Sequence, residues 1–164
     1  VSKGTAGAVS ATVGAEGGFS FSLSDTAFVS VNINWNPVDA EFKADDAVNA
    51  DDVKVVFDDM IEVSIEPSFS LTDNSAFYLK AGYSEFGVDV SGTGVDSAQS
   101  FDVSGSSVGV GTKTITDSGL YVKTEVGMTS YDGFTVKNVG TNDGTSKVSG
   151  IDTAYGKILI GRKF

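Results

Sequence analysis

Three glutamates and three lysines carry most of the reactive chemistry this sequence offers: Glu62, Glu66 and Glu125, with Lys80, Lys113 and Lys123. Carboxylates and amines held together can exchange protons, so an acid–base cluster is one reading of them. Mutual neutralisation is the other. All six fall on the Ser/Gly/Thr side of alternating segments, and charges confined together must pair or each costs several kcal/mol. We adopt the second reading, in which they fill an interior and do no catalysis. Serine is abundant, but the chain has no His and no Cys. That removes the usual base of a serine triad, the commonest metal ligand and any thiolate site. No catalytic, cofactor-binding or metal-ligating set is assigned, and the protein is not expected to be an enzyme. Asp45-Asp46 and Asp51-Asp52 could attract Ca²⁺ or Mg²⁺, but their spacing does not fit an EF-hand loop, and they read as solvated acids. Gly92-Thr93-Gly94 lacks the strand-to-helix setting of a phosphate loop.

The elements that must position these side chains are strands. The chain has 164 residues and a formal net charge of -11, which argues against nucleic acid as a partner because phosphate binding needs surplus Lys and Arg. No stretch keeps apolar residues at i, i+3, i+4 and i+7, and none runs to about 18 apolar residues, so a membrane helix is not expected. Membrane-crossing strands escape that test because they hide apolar residues by alternation. The chain starts at Val1 without a basic or apolar leader and reads as a mature form.

Alternation is sustained. Gly18–Ser24, Val29–Asn34, Ile61–Leu71, Phe77–Ser84, Val108–Thr114, Leu120–Thr129 and the stretch from Ile158 each place Val, Ile, Leu or Phe on one face and small or charged residues on the other. An eighth strand is read in Ala6–Val13, with Gly14-Ala15-Glu16-Gly17 as a tight connection. Three Ser/Thr-Asp turns punctuate the chain, around Asp25, Asp73 and Asp117, because Asp and Asn bond local backbone amides and nucleate turns. Asp25 to Asp73 is 48 positions, Asp73 to Asp117 is 44, and Asp117 to Phe164 is 47. Three longer polar connections alternate with these turns, over 36–59, 89–102 and 137–149. The first carries eight acids and is expected to hold either a hairpin (Glu41–Ala44 against Val53–Phe57) or a short helix. Short turns at one rim and long connections at the other predict an all-β, eight-stranded antiparallel up-and-down transmembrane β-barrel over residues 1–164.

Alternation alone does not say which face meets water. The polar face is mostly Gly, Ser, Thr and Asn with sparse opposite charges, which suits a narrow filled interior better than a solvated surface. Trp35, Tyr83 and Tyr131 lie toward the long connections, and Phe28, Phe69, Phe77, Tyr78, Tyr121 and Phe164 toward the turns, as interface girdles do. The apolar face is therefore expected to point outward.

The chain ends Ile158-Leu159-Ile160-Gly161-Arg162-Lys163-Phe164, an amphipathic strand with a terminal aromatic. With the hairpins Phe69–Tyr83 and Lys113–Lys123, this resembles the small bacterial outer-membrane β-barrel family, porin-like and similar to the eight-stranded membrane domain of outer membrane protein A. The family usually carries an aromatic or apolar residue where Arg162 stands, two before the terminal Phe. The resemblance implies a cell outer membrane location, lipid and lipopolysaccharide as surroundings, and Phe164 as the signal read by the barrel-assembly machinery. The function expected is a structural or surface-interaction role, with a plugged lumen and acidic outer loops, 36–59, 89–102 and 137–149, as the surface for any partner. Two alternatives stay open: a narrow channel or small-ligand carrier through the barrel, and a soluble secreted β-sandwich adhesin or surface-layer module.

Overall fold

The computed structural model describes residues 9–37, 40–46, 51–93, 95, 97–137 and 145–163. Strands account for 81% of these residues and none is helical, so the all-β expectation holds. The strands are β1 (Ala15–Ser22), β2 (Ala27–Asn36), β3 (Ala40–Asp46), β4 (Asp51–Thr72), β5 (Ser75–Gly92), β6 (Gln99–Ile115), β7 (Leu120–Tyr131), β8 (Phe134–Lys137), β9 (Thr145–Val148) and β10 (Ile151–Arg162). One large antiparallel sheet runs in the order β1-β2-β4-β5-β6-β7-β10, with β3 added beside β4, and β8 pairs with β9 separately.

The tight connections form as their sequences dictate. Leu23 N and Ser24 N donate to Ala27 O, Asp73-Asn74 links β4 to β5, and Gly119 N donates to Thr116 O. Gly119 takes φ of 80°, a conformation glycine adopts without a side-chain penalty. All three turns lie at one end of the sheet.

The eighth strand differs from expectation. Positions 6–8 lie outside the described residues, 9–14 form no strand, and Ala15–Gly17 belong to β1 instead of to a turn. The chain before β1 continues along the end of β2, where Asn36 Nδ2 donates to Thr12 Oγ1 at 2.9 Å. Glycine there marks close approach: at Gly18 a Cβ would collide with the Asn32 side chain of the paired strand. Among the described residues β1 and β10 are not paired, so an eight-strand closed barrel is not what this sheet forms by itself.

The long connections also differ. Much of 36–59, 89–102 and 137–149 is strand: β3 and the start of β4, the end of β5 and start of β6, and β9. The hairpin expected within the first is present, with Glu41 opposite Val56 and Ala44 opposite Val53. The extended strands have their own core, in which Phe86, Val88, Val90, Val95, Val103 and Val136 are buried and Phe57, Met60, Phe101, Tyr131 and Phe134 pack on them. Phe86 meets Tyr131 edge-on with ring centroids 4.8 Å apart.

The sheet curls so tightly that side chains of its first and last strands meet, Lys157 Nζ lying 2.9 Å from Glu16 Oε2. Burial follows the curl. On β5 the concave residues Tyr78, Lys80 and Ser84 are buried while the convex Phe77, Leu79 and Tyr83 are exposed. Past Ser84 the chemistry inverts. The convex side turns acidic at Glu85 and Asp89, and the concave side turns apolar at Phe86, Val88 and Val90. β4 makes the same change with a bulge between Asp58 and Ile61, where Asp59 takes φ of 42°. One extra residue reverses the facing of every residue beyond it, so Val55 and Phe57 point inward at one end and Ile61, Val63 and Ile65 point outward at the other.

Candidate functional site

The concave face holds a buried network of four lysines and four glutamates: Lys80, Lys113, Lys123 and Lys157, with Glu16, Glu62, Glu66 and Glu125. β4 places Glu62 and Glu66 four residues apart, hence on one face, and β7 does the same for Lys123 and Glu125 two residues apart. β5 supplies Lys80, β6 Lys113, β1 Glu16 and β10 Lys157.

Lys80 Nζ lies 2.6 Å from Glu62 Oε1 and 2.9 Å from Glu125 Oε1. Lys113 Nζ lies 2.7 Å from Glu66 Oε2 and also donates to Ser30 Oγ at 3.0 Å and Ser68 Oγ at 3.3 Å. Lys123, wholly buried, lies 2.5 Å from Glu66 Oε1, 2.8 Å from Glu16 Oε1 and 3.6 Å from Glu125 Oε2. Two tyrosines tie the carboxylates further. Tyr78 OH donates to Glu125 Oε2 at 2.6 Å and Tyr155 OH to Glu125 Oε1 at 2.9 Å. The Tyr78 ring stands between two ammonium groups, with Lys113 Nζ 4.7 Å and Lys123 Nζ 5.0 Å from its centroid. Buried cations favour an aromatic face where water cannot reach them.

Glycines make room for these rings. A Cβ at Gly111 would lie 2.6 Å from Tyr78 Cζ, and one at Gly127 would lie 2.5 Å from Tyr155 OH. The small residues of the polar face are thus the counterpart of its large ones.

All six charged residues singled out from the sequence, Glu62, Glu66, Lys80, Lys113, Lys123 and Glu125, come together here. Glu16 and Lys157 join them, and the sequence pattern points to neither. Phe164, the expected assembly signal, lies outside the described residues. Of the acidic pairs, the backbone register sets Asp45 opposite Asp52 and Asp46 opposite Asp51, and their side chains are not among those described. The described residues contain no group of three or more acidic side chains placed to hold a metal ion. The girdle assignment needs correction: Tyr78, Phe28, Tyr121 and Tyr131 turn to the concave side, because the two-residue period lets only one of two neighbours face out. The convex aromatics are Phe19, Phe21, Trp35, Phe69, Phe77 and Tyr83.

Electrostatically the network is balanced, with Glu66 Oε2 ion-paired to Lys113 but accepting no hydrogen bond. Each ammonium contacts at least one carboxylate, the charges sum to zero, and water is excluded from most of it. Such a set holds strands together and blocks the space between them. Below it, toward the tight turns, a cavity of about 840 Å³ opens between β1, β2, β6 and β10. No helix among the described residues is long and apolar enough to cross a membrane, which leaves strand crossing untouched. Comparison with protein families, with curated proteins and with solved structures returned no match.

Proposed function

We propose that this protein is an integral outer-membrane β-barrel with a structural or surface-interaction role, its convex side chains in lipid and its lumen plugged by the Lys/Glu network. The observation that carries this reading is the inverted burial. Lys123 and Glu66 are fully buried while Phe19 is 79% exposed and Ile158 75% exposed. In water that arrangement leaves a broad apolar surface uncompensated by burial, whereas in a bilayer both faces are satisfied.

Dimensions agree. On β4 the convex apolar run reaches from Ile61 to Leu71. Ten steps of about 3.3 Å on a strand tilted by about 40° rise about 25 Å, the height of a membrane barrel's apolar band. β4 with 22 residues and β5 with 18 exceed the roughly 9–11 needed to cross, so their far ends stand clear of the bilayer. The reading makes that end a small rigid head, cored by Phe86 and its neighbours and acidic outside, available to a surface partner and to lipopolysaccharide.

Closure follows from direction. With seven strands on the main path, β1 and β10 both run from the head toward the tight turns. One strand running the other way would be antiparallel to both and would complete an eight-stranded barrel. A second copy in the same membrane orientation would offer only parallel edges. Hydrocarbon enforces closure, since an open edge leaves backbone groups unsatisfied.

The test is electrophoretic. The full chain, refolded in detergent, is expected to migrate differently before and after boiling. Identical mobility, together with no quenching of Trp35 by brominated acyl chains, would remove the membrane-barrel reading.

A further inference from the structure

The large sheet ends in two edges that no described residue pairs: β1 bonds only to β2, and β10 only to β7. We infer that the seam between them is a docking site for a single amphipathic β-strand of another polypeptide. That strand is apolar or aromatic on its outward side and small and uncharged on its inward side. Its length lies between the 8 residues of β1 and the 12 of β10. This rests on the membrane-barrel reading, in which an edge left open would meet hydrocarbon.

Backbone comes first. Seven antiparallel strands in a row leave the first and the last running the same way, so one strand running from the tight turns to the head is antiparallel to both. Both edges are regular: no bulge breaks either register, and neither strand contains proline. Natural sheets blunt free edges with such interruptions, and an unblunted edge is a template for another strand. Thr12 meets Asn36 of β2, which places it on the side of β1 away from the seam. Width comes second. One inserted strand holds its two neighbours about 10 Å apart. A lysine and a glutamate can span that gap, and Lys157 Nζ meets Glu16 Oε2 at 2.9 Å. Chemistry comes third. Glu16 and Lys157 already fill the concave side of the seam, and the network they belong to is neutral, so an inward side chain at that level must be small and uncharged. On the convex face Gly17 follows Glu16 and Gly156 precedes Lys157, and a Cβ at either would meet nothing within 4 Å. The outward residues of the added strand on either side of that level each face one of these glycines, where an aromatic ring has room to cover the bare backbone. Farther along, Phe19 is 79% and Ile158 75% exposed, against 49% for Val63 in mid-sheet, because each lacks a lateral neighbour.

The experiment is directional cross-linking on the full chain refolded in lipid vesicles. The chain has no Cys, so single thiols can be placed on the convex face by Phe21→Cys on β1, Ile160→Cys on β10 and, as a mid-sheet control, Leu79→Cys on β5. The probe is a synthetic peptide of about ten residues, enough to cross the apolar band. It alternates Tyr or Val with Ser or Gly and carries one Cys at its first or at its last residue. The heat-dependent gel shift of each variant confirms that it has folded. Under mild oxidation the peptide with the first-residue Cys is expected to form a disulfide with Phe21→Cys and with Ile160→Cys, both near the tight turns. The peptide with the last-residue Cys is expected to form neither, and Leu79→Cys to capture no peptide. Replacing the inward Ser residues of the peptide by Lys is expected to weaken capture by at least about tenfold. A gel shift without capture at either edge means that the seam is shut without a partner, and the docking site is refuted while the barrel stands. Capture that ignores the direction of the peptide, or that Leu79→Cys matches, refutes it equally. No gel shift in the unaltered chain, with the peptide or without it, refutes the barrel and the docking site together.

Discussion

Replacing Lys123 by Met tests the charge network at its most buried point. Lys123 neutralises Glu66 and Glu16 directly and sits 3.6 Å from Glu125. Without it each carboxylate keeps one cation: Lys113 for Glu66, Lys157 for Glu16, Lys80 for Glu125. The interior then carries one uncompensated negative charge shared among three partly paired groups. Breaking a buried ion pair costs about 3–5 kcal/mol, and the surviving partners place this loss near the lower end, at about 3 kcal/mol. With a urea m-value of about 1–3 kcal/mol per molar, the unfolding midpoint in lipid vesicles should fall by roughly 1–3 M. Trp35, the single tryptophan of the chain, reports the transition. Adding Glu16→Gln to Lys123→Met restores neutrality with three lysines and three glutamates, and the pair should show a favourable coupling of about 1–3 kcal/mol. An unchanged or raised midpoint in the single variant, or strict additivity in the double, would show that these charges do not meet in the folded protein.

Further outcomes follow from the same geometry. Val126→Arg, on the convex face where Val126 is 60% exposed, should cost about 2–4 kcal/mol in vesicles, where a water-facing site would change by no more than about 0.5 kcal/mol; urea titration separates the two. Gly127→Leu would drive a side chain into the Tyr155 ring and should cost about 1–3 kcal/mol by the same titration. Phe86→Ala removes the ring that touches Phe57 and Tyr131 and should cost the head about 3–5 kcal/mol; protease cleavage near β5–β6 should appear while the gel shift persists, and undiminished protease resistance would count against a packed head.

Seven strands and three turns are legible in residue order, because a period of two with one apolar face is seldom produced by anything but a strand. Six interior charges are legible for the same reason, being the odd charges on an otherwise small polar face. Glu16 is hidden because it sits among Gly14, Gly17 and Gly18, which read as a turn; those glycines instead give space to Asn32 and to the open edge. Lys157 is hidden because the last strand starts earlier than its apolar residues suggest, at Ile151. The head resembles loops in sequence because acids and glycines dominate there, although Val55, Phe57, Phe86, Val88, Phe101 and Val103 alternate as faithfully as any strand. Their polarity runs opposite to that of the residues nearer the tight turns, and the bulge at Asp59 that reconciles the two on β4 becomes visible only through pairing.

On the membrane-barrel proposal, the network has a consequence for entry into a bilayer. Apart from Lys80 with Glu62, and Tyr155 and Lys157 with Glu125, its contacts between strands join strands that are not neighbours: β1 with β7 and β10, β4 with β6 and β7, β5 with β7. A growing sheet inserted one hairpin at a time would carry Glu66 on β4–β5 and Lys113 on β6–β7 unpaired into hydrocarbon until the two hairpins met. No single hairpin is neutral, but β4 to β7 together balance three lysines against three glutamates, so on the membrane-barrel proposal those four strands are expected to enter the bilayer together.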